Sequence, residues 1–340
     1  MKAAVFYGAG RKLGIETVPD PVPQADQVII EVARAGICGS DLHITQTDYM
    51  PAGLILGHEF AGTVVGAGAD AKGIFKTGSR VTALPLNPCN SCEACSHGWP
   101  NLCATGHFTG TALFAQGAYA QYVAARVALT QPLPDGVDFD LGGMVEPLAV
   151  AHHIVALAEP RKNAAVLIIG GGPIGQGTAL FARHKGARHV VLSEPSPERR
   201  AKALELGATT VIDPKSEQLD AAFERLTGGA PDVVFECVGL PGMLEESLRL
   251  VRVRGVVVIG GVLLEQDRLN PIVALSKEVT IRYSQAYTAS DFETVIDAIA
   301  KGKVIPAPMH TSTVTLEETP DAFENLRNAP RECKVLIAPN

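Results

Sequence analysis

Residues 166–177 read VLIIGGGPIGQG, an apolar run that stops on three consecutive glycines. With Ala164 and Ala165 ahead of it the run is continuously apolar, which suits a strand buried on both faces. Gly170, Gly172 and Gly175 fall in the pattern G-x-G-x-x-G, and the segment PIGQGTALFARHKG that follows reads as a helix. A strand, this glycine pattern and a helix, in that order, make a dinucleotide cradle. The first glycine permits the tight turn, the second lets backbone approach a pyrophosphate, and the third lets the helix pack closely on the sheet. Free N–H groups at the helix start then face the phosphate charge.

The pattern calls for an acidic residue roughly 20 positions on, at the end of a second strand. Glu194 in VVLSEPS stands there. A carboxylate at that place accepts hydrogen bonds from the adenosine ribose hydroxyls and repels a 2′-phosphate, so NAD is expected. Arg199 and Arg200 keep NADP as the lesser option. The expected cofactor contacts are Gly170, Gly172, Pro173, Ile174, Gly175, Glu194, Arg199, Cys237, Val238, Ile259 and Gly260. Cys237 is a small side chain on a strand near the cofactor.

Outward from this motif, strands AAVLIIG, HVVLSE, TTVID, DVVFECVG, GVVVIGG and VTIRYS mostly alternate with helical segments. Alternation of this kind predicts an α/β fold with a doubly wound parallel sheet of the Rossmann type. The chain before residue 147 differs. KAAVFYG, QVIIEVARAGI, FAGTVVGAG and SRVTAL are short β-like runs separated by Gly and Pro, which predicts a mostly-β barrel-like domain. Beyond the sheet, SDFETVIDAIAKGK reads as a helix with a capping box between Ser290 and Glu293, ending at Gly302. The strand-like CKVLIAP closes the chain. The tail is expected to return to the first domain, which makes that domain 1–147 plus 288–340 around a nucleotide-binding domain at 148–287.

The chain has 340 residues and a formal net charge of −7. That length suits two domains, and the acidic balance without a Lys/Arg-rich run argues against a nucleic-acid partner. No apolar stretch is long enough to span a bilayer, and the N-terminus lacks the continuous apolar core of a signal peptide. A cytoplasmic location, with no membrane partner, is the expectation. A reducing cytosol keeps thiols reduced, and seven cysteines are an odd number, so metal binding is the usual explanation for a cluster.

Cys89, Cys92, Cys95 and Cys103 follow C-x-x-C-x-x-C-x7-C in NPCNSCEACSHGWPNLC. Four thiolates close a tetrahedral shell around zinc with no position left for water, and an iron–sulfur cluster also takes four cysteines. A second donor set is scattered: Cys38 in GICGSDLH, His58 and Glu59 in LGHEFAG, and Glu146 in GGMVEPLAVAHH. These soft, borderline and hard donors together suit zinc, and a catalytic zinc keeps one coordination position open.

These motifs together (CGSDLH, GHE, the four-cysteine lobe, EPLAV, GGGPIGQ and DVVFECVG) resemble the zinc-containing medium-chain alcohol dehydrogenases, in particular the sorbitol, threonine and butanediol dehydrogenase branch. The resemblance covers essentially the whole chain. It implies a GroES-like catalytic domain beside the Rossmann domain, zinc rather than iron in the four-cysteine lobe, and two zinc ions per chain. It implies Cys38 and His58 as fixed ligands of the catalytic zinc. Relatives differ in using the residue matching Glu59 or the one matching Glu146, and Glu146 is expected in the resting enzyme. The implied reaction oxidises a secondary alcohol, or a vicinal diol, to the carbonyl by hydride transfer to NAD. Zinc lowers the hydroxyl pKa and polarises the carbonyl in reverse. Ser40 and His43 resemble the family's proton relay. The implied alternatives are an NADPH-dependent carbonyl reductase and a polyol or threonine-type dehydrogenase. Ile44, Tyr49, Phe108 and Phe114 are pocket candidates by position, and relatives are commonly homodimers or homotetramers.

Overall fold

The computed structural model describes residues 1–328 and 331–340. The chain opens with β1 (Lys2–Phe6), β2 (Gly14–Thr17) and β3 (Gln27–Gly36), turns through α1 (Gly39–Ile44), and continues with β4 (Leu54–Ile55), β5 (Glu59–Ala67) and β6 (Arg80–Ala83). A hairpin of β7 (Leu86–Asn87) and β8 (His107–Phe108) frames the loop that carries α2 (Glu93–Ser96); β9 (Tyr122–Arg126) and β10 (Thr130–Pro132) follow. The long β3 is mostly buried, with Val28–Ile30 buried in a row, and is the hub of this half, pairing antiparallel with β5 and β9. A second, three-stranded sheet in the order β2-β1-β4 lies beside it. Phe6, Ile30, Leu54, Phe60 and Tyr119 are wholly buried in the core between them.

Two helices, α3 (Phe139–Gly143) and α4 (Val145–Ala158), lead into the second half. There β11 (Ala165–Ile169), α5 (Pro173–His184), β12 (His189–Ser193), α6 (Pro197–Glu205), β13 (Thr210–Ile212), α7 (Leu219–Thr227), β14 (Val233–Glu236), α8 (Met243–Leu250), β15 (Val256–Ile259), α9 (Pro271–Leu275) and β16 (Thr280–Tyr283) follow one another, and the short α9 between the last two strands is a helix the sequence pattern does not predict. The strands form one sheet in the order β13-β12-β11-β14-β15-β16, and every pair is parallel. Crossovers therefore run one way from β11 through β13 and the other way from β14, which leaves a crevice outside the carboxyl ends where the direction reverses. Helices α4 and α5 cover one face of the sheet, and α7 and α8 cover the other.

The tail divides. Helix α10 (Ala289–Ala300) packs against α4, whereas β17 (His310–Thr315) and β18 (Lys334–Ala338), joined by α11 (Thr319–Asn328), extend the sheet of β3. The capping box of α10 is not the expected Ser290–Glu293 pair. It is Thr288 with Asp291, each accepting from the other's backbone N–H. The helix starts at Ala289 because the Asp291 carboxylate is already anchored from below: it accepts from His152 Nδ1 at 2.7 Å and His153 Nδ1 at 2.9 Å, both on α4. Among the described residues no helix is long and apolar enough to cross a membrane.

Candidate active site at the carboxyl edge of the parallel sheet

The glycine turn has the geometry of a phosphate cradle. Gly170 sits at φ +100°, a conformation costly for any residue with a side chain. A Cβ on Gly175 would lie 1.8 Å from the Gly170 carbonyl oxygen, so helix α5 could not start this close to β11 with any other residue. Gly172 caps α5 and Pro173 occupies its first turn, leaving unbonded backbone N–H groups directed at the crevice. Ile174 follows on the same turn. Cys237 and Val238 close the opposite wall: the Cys237 amide bonds Ile169 O at 2.9 Å, and a Cβ on Gly170 would come within 2.8 Å of Val238. Ile259 ends β15, and the Gly260 amide bonds the Glu236 carbonyl at 2.8 Å. Burial pushes the Cys237 thiol up to about 12, helped by the charge of Glu236, so this thiol is neutral.

Glu194 is buried at the end of β12, where its carboxylate accepts from the amides of Gly171 and Ser196, both at 2.8 Å. The acid therefore shapes the glycine turn, with both of its oxygens taken up by backbone amides. Arg200 is committed to the Glu194 carbonyl and to Asp213, and Arg199 bonds the Glu332 carbonyl while its guanidinium reaches toward Gly172.

The second centre forms where β3, α1, β5 and β18 converge. Cys38 leaves β3 in extended conformation to cap α1, His58 immediately precedes β5, and Glu59 is the first residue of β5. Donor atoms of Cys38, His58 and Glu59 all lie within 4.8 Å of one another. Glu59 stands opposite Gly36 in the ladder, and a Cβ there would meet its carboxylate at 2.0 Å. Asp41 Oδ1 lies 3.6 Å from His58 Nδ1, and Asp41 itself accepts from the Tyr119 hydroxyl at 2.6 Å. Ser40 donates to the Cys38 sulfur at 3.1 Å. His43, one helical turn further, is exposed.

Three residues of this centre escape a reading of local sequence. Lys334, wholly buried at the start of β18, donates to both oxygens of Glu59 at 2.8 and 2.7 Å and to the Ile37 carbonyl at 2.9 Å. Burial opposes its charge, but Glu59 and Cys38 outweigh this and its pKa is raised. A lysine inside the apolar run CKVLIAP is the signal that could have found it. Tyr287 is buried with its hydroxyl toward Glu146, without a complete hydrogen bond. Glu146, near the start of α4, lies outside the group of three donors, yet the charges of His58 and Glu59 act on it. Burial is the main cause that lifts its pKa to about 7. Asp41 is the third. Of the pocket candidates, Phe108 stands edge-on to His58 with ring centres 6.3 Å apart, and Ile44 ends α1 half-buried. Tyr49 and Phe114 are largely exposed, and Phe114 lies against His107 in a groove of about 910 Å³ near Pro88 and Met1.

The four clustered cysteines come together as their spacing predicts. Sulfur separations are 3.6 Å for Cys92–Cys95, 3.7 Å for Cys92–Cys103 and 3.5 Å for Cys89–Cys103. A disulfide needs about 2.05 Å; tetrahedral thiolates on zinc stand about 3.8 Å apart, given a Zn–S bond near 2.3 Å. Hydrogen bonds from Thr105 and Ser91 hold the Cys89 thiol down at about 5, whereas burial and the neighbouring thiols push Cys95 up to about 12, so the protons of the cluster are shared unevenly.

Comparison with known proteins agrees with this arrangement. Residues 24–135 match the alcohol dehydrogenase GroES-like domain, and residues 173–301 match the zinc-binding dehydrogenase family. Sorbitol dehydrogenase of Bacillus subtilis (strain 168) is 32% identical over 352 aligned positions, covering 100% of this chain and 98% of that protein. A zinc-binding dehydrogenase from Sinorhizobium meliloti 1021, solved with NADP, superposes with a TM-score of 0.91 at 32% identity over 99% of both chains. The 2R,3R-butanediol dehydrogenase of B. subtilis does so with a TM-score of 0.90 at 29% identity, over 100% of this chain and 99% of that one. With a Rossmann sheet, a GroES-like half and two clusters of side chains that could hold a metal ion, the chain belongs to the zinc-containing alcohol dehydrogenase family, oxidoreductases that act on CH–OH groups with a nicotinamide cofactor.

Proposed function

We propose that the protein oxidises a secondary alcohol, or a vicinal diol, to the ketone with NAD, and reduces the ketone in reverse. The observation that carries this reading is the convergence of Cys38, His58 and Glu59 within 4.8 Å in a family that binds zinc. When bound, zinc supplies a Lewis acid that lowers the pKa of the substrate hydroxyl. Cys38 and His58 are its constant ligands in this reading. Glu146 supplies the third, because Lys334 already takes both oxygens of Glu59; proximity favours Glu59 as the alternative. The four-cysteine lobe takes a second, structural zinc.

Ser40 turns from the Cys38 sulfur to accept the proton leaving the substrate oxygen. His43, exposed one turn along the same helix, carries it onward to solvent through its imidazole. Phe108 packs against His58 and supplies an apolar wall for the substrate carbon. Glu194 favours NAD by meeting the ribose hydroxyls and repelling a 2′-phosphate, although a structural neighbour binds NADP. We place the catalytic domain at 1–147 and 288–340, with the cofactor domain between, and the protein in a reducing cytoplasm. We take it to be a homodimer or homotetramer. Tyr283, exposed at 68%, lies on the edge strand β16, and Val262 and Leu264, exposed at 65 and 68%, follow β15; sheet edges invite pairing.

A panel of secondary alcohols, vicinal diols, polyols and ketones assayed with NAD(H) and NADP(H) tests this. Turnover of secondary alcohols with at least tenfold preference for NAD is expected. Activity confined to NADPH and carbonyls would replace the reading with a reductase.

A further inference from the structure

The four-cysteine lobe also reaches the cofactor domain. Asn101 lies between Pro100 and Leu102 on a short 3-10 turn that runs directly into Cys103, the last thiol of the lobe. Its side-chain amide is buried and donates to the backbone carbonyl of Gln285 at 2.9 Å, across 184 residues of chain. Gln285 belongs to the segment that leaves the carboxyl end of β16, the edge facing the cofactor crevice. Ser284 in that segment is held to Ile259 O at 2.9 Å. Two residues on, Ala286 adopts φ +50°, a left-handed conformation that an alanine does not take without restraint. Tyr287 follows immediately, its ring stacked on Phe292 and its buried hydroxyl directed at Glu146. The turn is thus clamped on both sides: by strand pairing at Ser284 and by the capping of α10 at Thr288, with Asn101 holding the carbonyl between them.

We propose that Asn101 is a positioning residue of the active site: through the Gln285 carbonyl, the lobe holds the left-handed turn at Ala286 that sets Tyr287 over Glu146. The lobe then does more than stabilise its own loop. It spans from the GroES-like half to the cofactor half and fixes a segment that runs from the carboxyl end of β16 to Tyr287 beside Glu146. A carbonyl acceptor is independent of the side chain at 285, so this link is specific to the donor on the lobe.

The kinetic arm of the test rests on the alcohol dehydrogenase reading; metal content, NADH affinity and amide exchange stay readable even if no alcohol is found to turn over. Asn101→Ala, Tyr287→Phe and the double variant are compared with wild type as zinc-loaded protein. Asn101→Ala is expected to keep both zinc ions and an NADH dissociation constant within about twofold. Its kcat/KM for the alcohol is expected to fall roughly tenfold, less than the hundredfold cost of misplacing reacting groups by an ångström. The double variant should be no worse than the weaker single variant, because both changes act through one turn. Unchanged kcat/KM with only a lower Tm, or losses that multiply, would overturn the proposal. Should Asn101→Ala fail to fold, Asn101→Asp keeps the shape and replaces the donor with an acceptor. Its amides at 286–288 should then exchange at least about tenfold faster than in wild type while those of the lobe do not. Equal protection would overturn the proposal as well.

Discussion

Lys334 is the residue on which the charge balance of the second centre turns. Its ammonium has three protons, and three oxygens accept them: both of Glu59 and the Ile37 carbonyl. Removing one member of a buried pair leaves the other charge uncompensated, which costs about 3–5 kcal/mol, more than the pair itself contributes over an apolar replacement. Lys334→Met should therefore lower stability toward urea by that amount, and adding Glu59→Gln should recover most of it. A loss under about 1 kcal/mol, the worth of a surface pair, would show that solvent reaches this site. The same geometry separates the two candidate carboxylate ligands. With Glu59 already neutralised, Glu146→Gln should weaken zinc binding at this centre more than Glu59→Gln does, as read by chelator competition. The reverse order would make Glu59 the resting ligand. The scattered donors were legible as residue types: Cys38, His58 and Glu59 do meet. Lys334, Asp41 and Tyr287 were not, since a partner for a buried group is chosen by packing, not by neighbours in the chain.

At the scale of elements, the contact between α4 and α10 depends on one carboxylate. Asp291 caps α10 and accepts from two histidines of α4. Burial pushes its pKa up, but the hydrogen bonds from His152, His153 and Thr288 outweigh it and hold the carboxyl well below the usual range. A depressed folded-state pKa means the contribution is complete above the unfolded value, near 3.9, and is lost as pH falls below it. Asp291→Asn should cost on the order of 3 kcal/mol at neutral pH, and the difference from wild type should shrink below about pH 4. A gap that stays constant from pH 7 to pH 3 would show that the carboxylate charge is not what joins the helices. The expected cap at Ser290 and Glu293 had the right residue types two positions late. Nothing local distinguishes it from Thr288 and Asp291; the histidines of α4, far back in the chain, decide between them.

For the whole molecule, assembly centres on β16, which ends the parallel sheet with the exposed Tyr283, and on the turn after β15, where Val262 and Leu264 are exposed. Light scattering on the purified protein is expected to give a dimer or tetramer, and a charged substitution at Tyr283 should shift it toward monomer. A monomer at micromolar concentration would leave these side chains without the proposed role.

The alternation of strands and helices, the glycine turn, the acid after β12 and the thiol spacing are short-range patterns. Each is dictated by periodicity, backbone conformation or loop reach within a few dozen residues, so the sequence alone determined the Rossmann sheet, its cradle and the lobe. The donor group of Cys38, His58 and Glu59 and the groups beside it, Glu146, Tyr287 and Lys334, come from distant parts of the chain, and the link from Asn101 to Gln285 spans half of it. Which of these distant segments adjoin is set by how two sheets and their helices pack together, and only the tertiary structure decided that.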